Sequence, residues 1–367
     1  MSNRVYNFSA GPAMLPLEVL EASAKALVDF QGKGFGIAEC SHRGKEFDGV
    51  VDEAIARAKA LVGITDSHDV LFLQGGATQL FTTIPQNFAV GPDGLKKSAD
   101  YLVSGEWSKK AAGGAKEIGV AANVVATSEA TNFDRSPAPA EWKTKADAAY
   151  LHVCSNETVH GHRLVDLPTH ETLIVDASSE FMARPHDLSK IALLYGGAQK
   201  NLGPSGLVLA FARKDLYARI PEKGLPKLFN FKAQAEAKSM INTPPTFSIY
   251  ILLETFRWLE RQGGLAAIEK VNAAKAKAIY DAVDNSGGYY TGTVAVKEQR
   301  SHMNVTFRLP SEEKTDEFVK QAAKQGMVAL KGYRTVGGIR ASIYNAMPLA
   351  GAQALANFMK DFQTKNG

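Results

Sequence analysis

Residues 193–212 read LLYGGAQKNLGPSGLVLAFA. Two short apolar runs, 193–195 and 207–212, bracket a segment with five glycines or prolines and one lysine, Lys200. Apolar runs of this length, closed by turn formers, read as buried strands. The loop between them is expected at a sheet edge, with an unusual backbone shape set by its glycines. Upstream, 172–176 (TLIVD), 149–154 (AYLHVC), 101–104 and 69–73 (DVLFL) have the same strand character. Helical segments separate them: in 46–62, Phe47, Val50, Val51, Ala54, Ile55, Ala58 and Leu61 recur at three- and four-residue steps. Strands alternating with helices predict an α/β fold with a mainly parallel sheet flanked by helices, and a ligand cleft at the carboxyl ends of the strands.

Downstream, an apolar helix from about 247 to 261 is followed by Gly263-Gly264 and a second helix, roughly 265–283. Its stripe is Ile268, Val271, Ala274, Ala278, Ile279 and Ala282, and Gly287-Gly288 ends it. The remainder reads strand, strand, helix (312–325), strand, strand, helix (349–362), a smaller α+β unit. A length of 367 residues suits two domains. The expected division is an N-terminal arm 1–16, a large domain 17–262 and a small C-terminal domain 263–367.

Composition excludes several function classes. The net charge of +4, from 42 basic and 38 acidic residues, is too small and too dispersed for a nucleic-acid partner. The most apolar helical run, 249–259, is broken by Glu254 and Arg257, so no membrane span is expected. Two cysteines, Cys40 and Cys154, make neither a disulfide framework nor a zinc site. The first 16 residues lack a signal-peptide pattern, and a cytoplasmic protein is expected. His160 and His162 share a strand-like stretch without a third ligand, and read as a solvated turn; no metal is expected.

The chemistry-bearing candidates gather at strand ends. Lys200 follows one apolar strand, and Asp176 ends another 24 positions earlier. A Schiff-base lysine with an acid for a pyridinium nitrogen is the pair that pyridoxal phosphate requires. Gly75-Gly76-Ala77-Thr78-Gln79 follows a strand and opens a helix, where free N–H groups suit a phosphate. Trp107 lies just past a strand and could stack on a flat ring. Asn156-Glu157-Thr158 brings polar groups to the same rim. Arg43 lies in SHRG, and Arg334 and Arg340 flank Gly337-Gly338. Arg340 opens the strand-like run RASIYN, where an arginine fork suits a substrate carboxylate.

Five stretches together are similar to the phosphoserine aminotransferases, within the class V aminotransferases of fold type I. They are NFSAGPAMLP (7–16), SHRGKEF (41–47), GGAQKNLGPSG (196–206), NTPPTF (242–247) and VGGIRASIYNA (336–346), in the family's order and spanning almost the whole chain. The resemblance implies reversible amino transfer between glutamate and 3-phosphohydroxypyruvate, giving 2-oxoglutarate and phosphoserine, and in many bacterial relatives a further role in vitamin B6 synthesis. It implies that Lys200 carries the cofactor and shuttles the proton. Asp176 would pair with the ring nitrogen, Trp107 would stack on the ring and Thr158 would bond the phenolic oxygen. Ala77, Thr78 and Gln199 would hold the cofactor phosphate, and Asn242 and Thr243 would reach the phosphate of the neighbouring subunit, so that a homodimer shares its sites. Arg340 would take the α-carboxylate, with His42, Arg43 and Arg334 around the distal group.

One position departs from the family pattern. A histidine usually precedes the arginine of KGHR, and here Tyr333 stands there. Tyrosine can hydrogen-bond a phosphate but offers no positive charge near neutral pH. A cysteine desulfurase needs a reactive cysteine late in the chain, and this sequence has none after Cys154. An alanine–glyoxylate or serine–glyoxylate type aminotransferase stays open on the residues alone, as does a non-catalytic binding protein of the same fold, although Lys200 and Asp176 together weigh against the latter.

Overall fold

The computed structural model describes residues 4–367; the first three residues of the N-terminal arm lie outside it. Its centre is a seven-stranded sheet in the order His68–Gln74, Leu207–Arg213, Leu193–Gly197, Leu173–Asp176, Leu151–Cys154, Ala99–Val103, Ala122–Thr127. The last five strands of that order run parallel. Leu207–Arg213 runs antiparallel to both of its neighbours, a departure from the parallel pattern. The cause is the Lys200 loop. A parallel return needs a crossover of a dozen residues or more, and the loop is too short for one, so the chain must fold straight back.

Side chains alternate across the sheet, as strand geometry demands. Phe72 and Leu102 face one layer, packed with Phe47, Val50, Ile249, Leu252 and Phe256. Leu71 and Tyr101 face the other, packed with Leu80, Phe81, Ile84, Ala111 and Ala115. Helices Leu17–Val28, Lys45–Val62 and Thr246–Arg261 form the first layer, and Ala77–Phe88 and Glu106–Glu117 belong to the second. The charges that interrupt the apolar run 249–259 are paired. Arg257 bridges Glu254 on its own helix and Glu53 on the neighbouring one. Among the described residues, no helix is long and apolar enough to cross a membrane.

Beyond Gly263 and Gly264, whose φ angles of 90° and 76° turn the chain, the long helix Gly264–Asp284 begins. A three-stranded antiparallel sheet (Thr291–Gly292, Asn304–Arg308, Ile339–Ser342) packs with it and with helices Glu312–Lys324 and Leu349–Asn366 around Phe307, Phe318, Phe358 and Phe362. The arm is tied to this unit. Tyr6–Asn7 pairs in parallel with Met327–Val328, and Phe8 is fully buried in the same cluster. Further along, Tyr344 donates to the Ala10 carbonyl (2.8 Å) and the Ala13 amide donates to the Gln199 carbonyl (2.9 Å). The arm thus runs from the small sheet to the residue before Lys200.

The reading of His160 and His162 as a solvated turn needs correction. His160 is in a turn, but His162 opens the short strand His162–Arg163 and is buried. Its two ring nitrogens lie 3.0 Å from the Ser136 hydroxyl and 2.8 Å from the Ser104 carbonyl, and burial pushes its pKa down to about 4. The carbonyl can only accept, so Nε2 carries the proton of a neutral ring. Two serines distant in the chain, Ser136 and Ser104, satisfy the ring.

Candidate active site

Residues that follow five strands of the sheet line one cavity at the carboxyl edge. Gly76, Ala77 and Thr78 follow His68–Gln74; Trp107 follows Ala99–Val103; Asn156 and Thr158 follow Leu151–Cys154; Asp176, Ser178 and Ser179 close Leu173–Asp176; Gln199 and Lys200 follow Leu193–Gly197. A roomier cavity of about 500 Å³ lies beside Gln74, Leu228 and Gln234, and its lining contains no titratable side chain. The cavity that brings a buried amine and a buried carboxylate together is the one that holds Lys200 and Asp176.

Lys200 is 9% exposed, on a loop that its neighbours fix tightly. Its Nζ donates to the Thr158 hydroxyl (3.0 Å) and stands 5.4 Å from the centroid of the Trp107 ring. Burial lowers its pKa; Asp176 pulls the other way, and Arg340 adds to the lowering. A lysine held this way is closer to a neutral amine, the form that attacks carbonyl carbon or takes a proton. The glycines around it serve space more than backbone shape. A Cβ on Gly196 would come within 2.5 Å of the Phe181 ring, whereas only Gly206 in this loop has a left-handed φ, at 92°. From the other side, Gly11 of the arm packs so closely that a Cβ there would touch Lys200 Cγ at 3.5 Å.

Asp176 is buried and rigidly held. Its Oδ1 accepts from the Ser178 amide (2.9 Å) and the Ser178 hydroxyl (2.6 Å). Burial pushes its pKa up, and the Ser178 bonds and the Lys200 charge pull it back. Ser178 Oγ also accepts from the Gly197 amide (3.2 Å), which locks the acid to the strand leading to Lys200. Ser178 was not singled out from sequence; the only signal is the Asp-x-Ser spacing of a local side-chain turn, too common to be specific.

The cavity also contains buried polar atoms that the chain itself leaves without partners, Trp107 Nε1 and Gln199 Oε1. At its other end, Gly76 precedes helix Ala77–Phe88, whose first N–H groups have no intrahelical acceptor. An amine, a buried acid, an indole face and a helix N-terminus within one cavity fit a flat heteroaromatic aldehyde with a phosphate, which is pyridoxal phosphate.

The remaining candidates, Arg340 and Arg334 included, do not line this cavity. Arg340 is half-buried in Ile339–Ser342; its guanidinium carbon sits 5.8 Å from the Tyr333 ring centroid, and among the described residues no carboxylate pairs with it. Arg334 is exposed on the preceding loop. Arg43 is exposed too, and His42 is half-buried with Nε2 unpartnered; neither lines the Lys200 cavity. Asn242 and Thr243 are exposed and also lie off its lining. The Asn242 amide pairs twice with the Gln74 amide (2.8 and 3.2 Å), and Gln74 donates to the Thr243 carbonyl (3.3 Å). Sequence reasoning placed Asn156 and Glu157 on the rim but gave them no role. Asn156 donates to Ser179 (2.7 Å) and to Asn304 (2.9 Å), and so joins the cavity to the small sheet.

The family model "Aminotransferase class-V" matches residues 5–355. A phosphoserine aminotransferase of Aromatoleum aromaticum is 48% identical over 372 residues, covering 99% of this chain and all of that protein. The solved phosphoserine aminotransferase of Bacillus circulans subsp. alkalophilus superposes with a TM-score of 0.95 at 46% identity, with full coverage of both chains. A phosphoserine aminotransferase from Trichomonas vaginalis, solved with pyridoxal phosphate bound, superposes at 0.92 with 38% identity, covering 97% of this chain and all of the other.

Proposed function

From the premise that this chain belongs to the class V aminotransferases, and among them to the phosphoserine aminotransferases, we infer that it moves the amino group of L-glutamate reversibly to 3-phosphohydroxypyruvate. The products are 2-oxoglutarate and O-phospho-L-serine, and the cofactor is pyridoxal phosphate. The observation that carries the reading is the single cavity holding a buried Lys200 amine, the buried Asp176 carboxylate and the Trp107 ring.

When bound, pyridoxal phosphate supplies an aldehyde carbon that amines condense with and a ring that accepts the electron pair left at the substrate Cα. The protein's own residues do the rest. Lys200 would hold the cofactor through its Nζ, and the same nitrogen, when free, would move the proton at the substrate Cα. Burial shifts its pKa down, toward the neutral form that can take a proton. Asp176, oriented by Ser178, keeps a proton on the ring nitrogen. Thr158, already bonded to Lys200, would hold the phenolic oxygen. Ala77 and Thr78 at the helix start hold the phosphate together with Gln199.

Arg340 binds the α-carboxylate by its planar fork, since among the described residues no carboxylate pairs with it. Arg334 reads the distal phosphate or carboxylate. Arg340 and Arg334 do not line the Lys200 cavity, but Arg340 acts on the Lys200 charge, whereas among the described residues nothing ties His42, Arg43, Asn242 or Thr243 to Lys200 of their own chain. We assign them to the neighbouring subunit's site in a homodimer, Asn242 and Thr243 toward the cofactor phosphate, His42 and Arg43 toward the distal group. The arm 1–16, large domain 17–262 and small domain 263–367 are the units of this proposal. Unpaired, buried Cys40 and Cys154 suit a reducing cytoplasm.

Purified enzyme should turn over O-phosphoserine with 2-oxoglutarate far faster than alanine with glyoxylate. Equal rates with alanine would transfer the reading to the alanine–glyoxylate type.

A further inference from the structure

The carboxylate of Glu157 has no part in the chemistry above, yet it is completely buried. It lies at the start of helix Glu106–Glu117, whose second residue is Trp107. One oxygen, Oε2, accepts from the Trp107 amide (3.2 Å); the other accepts from the Ser108 amide (3.0 Å) and hydroxyl (2.6 Å). Ser108 Oγ in turn accepts from the amides of Ser104 and Gly105 (2.9 and 3.0 Å). The acid thus holds the Trp107 and Ser108 amides directly, and the Ser104 and Gly105 amides through the Ser108 hydroxyl. Gly105 makes room for it: a Cβ there would stand 2.4 Å from Glu157 Cδ. The extended φ of −176° would suit any residue, so the glycine is required by space alone. The next residue along the chain, Thr158, bonds Lys200. Adjacent residues therefore fix the two groups that flank the cofactor.

We infer that Glu157 is the positioning residue for Trp107: its carboxylate clamps the first turn of helix Glu106–Glu117 and so sets the plane of the indole over the cavity. The inference rests on the reading of Trp107 as the ring's stacking partner. A carboxylate at this place is favoured twice, by direct bonds to first-turn amides and by the positive end of the helix. The amide of Glu157→Gln keeps one acceptor oxygen and turns an NH2 group toward donors, so the clamp opens on one side.

The test is a double-mutant cycle on cofactor binding, read by pyridoxal phosphate titration of apo protein and by near-ultraviolet circular dichroism, which reports aromatic orientation without turnover. Glu157→Gln should weaken cofactor binding roughly tenfold, the scale of a lost helix cap. It should also change the near-ultraviolet spectrum of the apo protein in the same bands as Trp107→Ala. In a Trp107→Ala background, Glu157→Gln should add almost nothing to the loss of cofactor affinity. Ser108→Ala, which removes the hydroxyl that donates to Glu157 and accepts from the Ser104 and Gly105 amides, should show the same coupling and covers the case in which Glu157→Gln fails to fold. Additive losses, with Glu157 or Ser108 variants costing the same whether or not Trp107 is present, would overturn the inference and leave the stacking role intact. If Trp107→Ala alone leaves cofactor affinity unchanged, the stacking role fails and the inference falls with it.

Discussion

Lys200 and Asp176 stand out in the sequence because each is a charged residue beside an apolar run, and such charges are buried only when something uses them. The group that orients Asp176 was not legible, since Ser178 is one of many serines and its bonds exist only after the strand ends and the chain turns. Its contribution can be measured. Ser178→Ala removes a 2.6 Å bond from a buried acid, and a bond to a charged group is worth about 1.5–3 kcal/mol. Pyridoxal phosphate affinity should fall by roughly ten- to a hundredfold, as read by titration of apo enzyme; an unchanged affinity would mean that Asp176 needs no orientation. Tyr333 marks a second residue-scale difference. It stacks beside Arg340 and brings no charge. Tyr333→His should add a gain in phosphoserine use below about pH 6.5, where histidine protonates, with no matching gain for alanine. A flat difference between the two pH profiles would place residue 333 away from the phosphate.

Among the elements, the strands and long helices were legible from period and composition, down to the long helix Gly264–Asp284. Several were not anticipated, the short helix Phe231–Glu236 and two larger elements among them. Ala122–Thr127 is a partly exposed edge strand whose apolar run is only Val124-Val125-Ala126, and Leu17–Val28 mixes its buried positions with small residues. The reversed direction of Leu207–Arg213 was implicit in a loop too short for a crossover, but strand residues look alike in either direction. Helix Gly264–Asp284 also contains a charge that its amphipathic pattern conceals. Lys275 is fully buried, and its Nζ donates to the carbonyls of Ile343 and Tyr344 (2.9 and 2.8 Å), the segment that follows Arg340. Burial pushes its pKa down to about 7. An unfolded lysine holds its proton to about pH 10.4, so unfolding takes up a proton between the two values. The folded state therefore gains stability as pH rises through this window, and that part is lost as pH falls toward 7. The slope from this one group reaches at most about 1.4 kcal/mol per pH unit. Denaturant melts at pH 7.5 and 9 should show the rise in the native protein and a smaller one in Lys275→Met. Identical slopes would mean that Lys275 keeps its ordinary basicity.

For the molecule as a whole, buried histidines set the acid limit. Burial holds His160, His162, His186 and His302 at about 4 and His152 at about 3. An unfolded histidine protonates near pH 6.5. Stability from these groups is complete above that value and is lost as pH falls toward 4. Denaturation midpoints should fall steadily between pH 6.5 and 4.5, and a flat midpoint there would show that the rings are hydrated in solution. Assembly acts at the same scale. If Asn242 and Thr243 complete a partner's site, cofactor affinity should drop as the enzyme is diluted into monomers, whereas equal affinity at all concentrations would confine each site to one chain. The least legible feature of the sequence was which candidates share a cavity within one chain. Motif order brings Arg43 and Asn242 into the family pattern, but only the fold shows that neither lines the Lys200 cavity.

The central claim is that Lys200 carries the cofactor. Enzyme loaded with pyridoxal phosphate, reduced with borohydride and digested, should yield one cofactor-bearing peptide in mass spectrometry, modified at Lys200, and Lys200→Ala should yield none while remaining folded and without transaminase activity. A reduced adduct on any other lysine, or an active Lys200→Ala enzyme, would contradict the account.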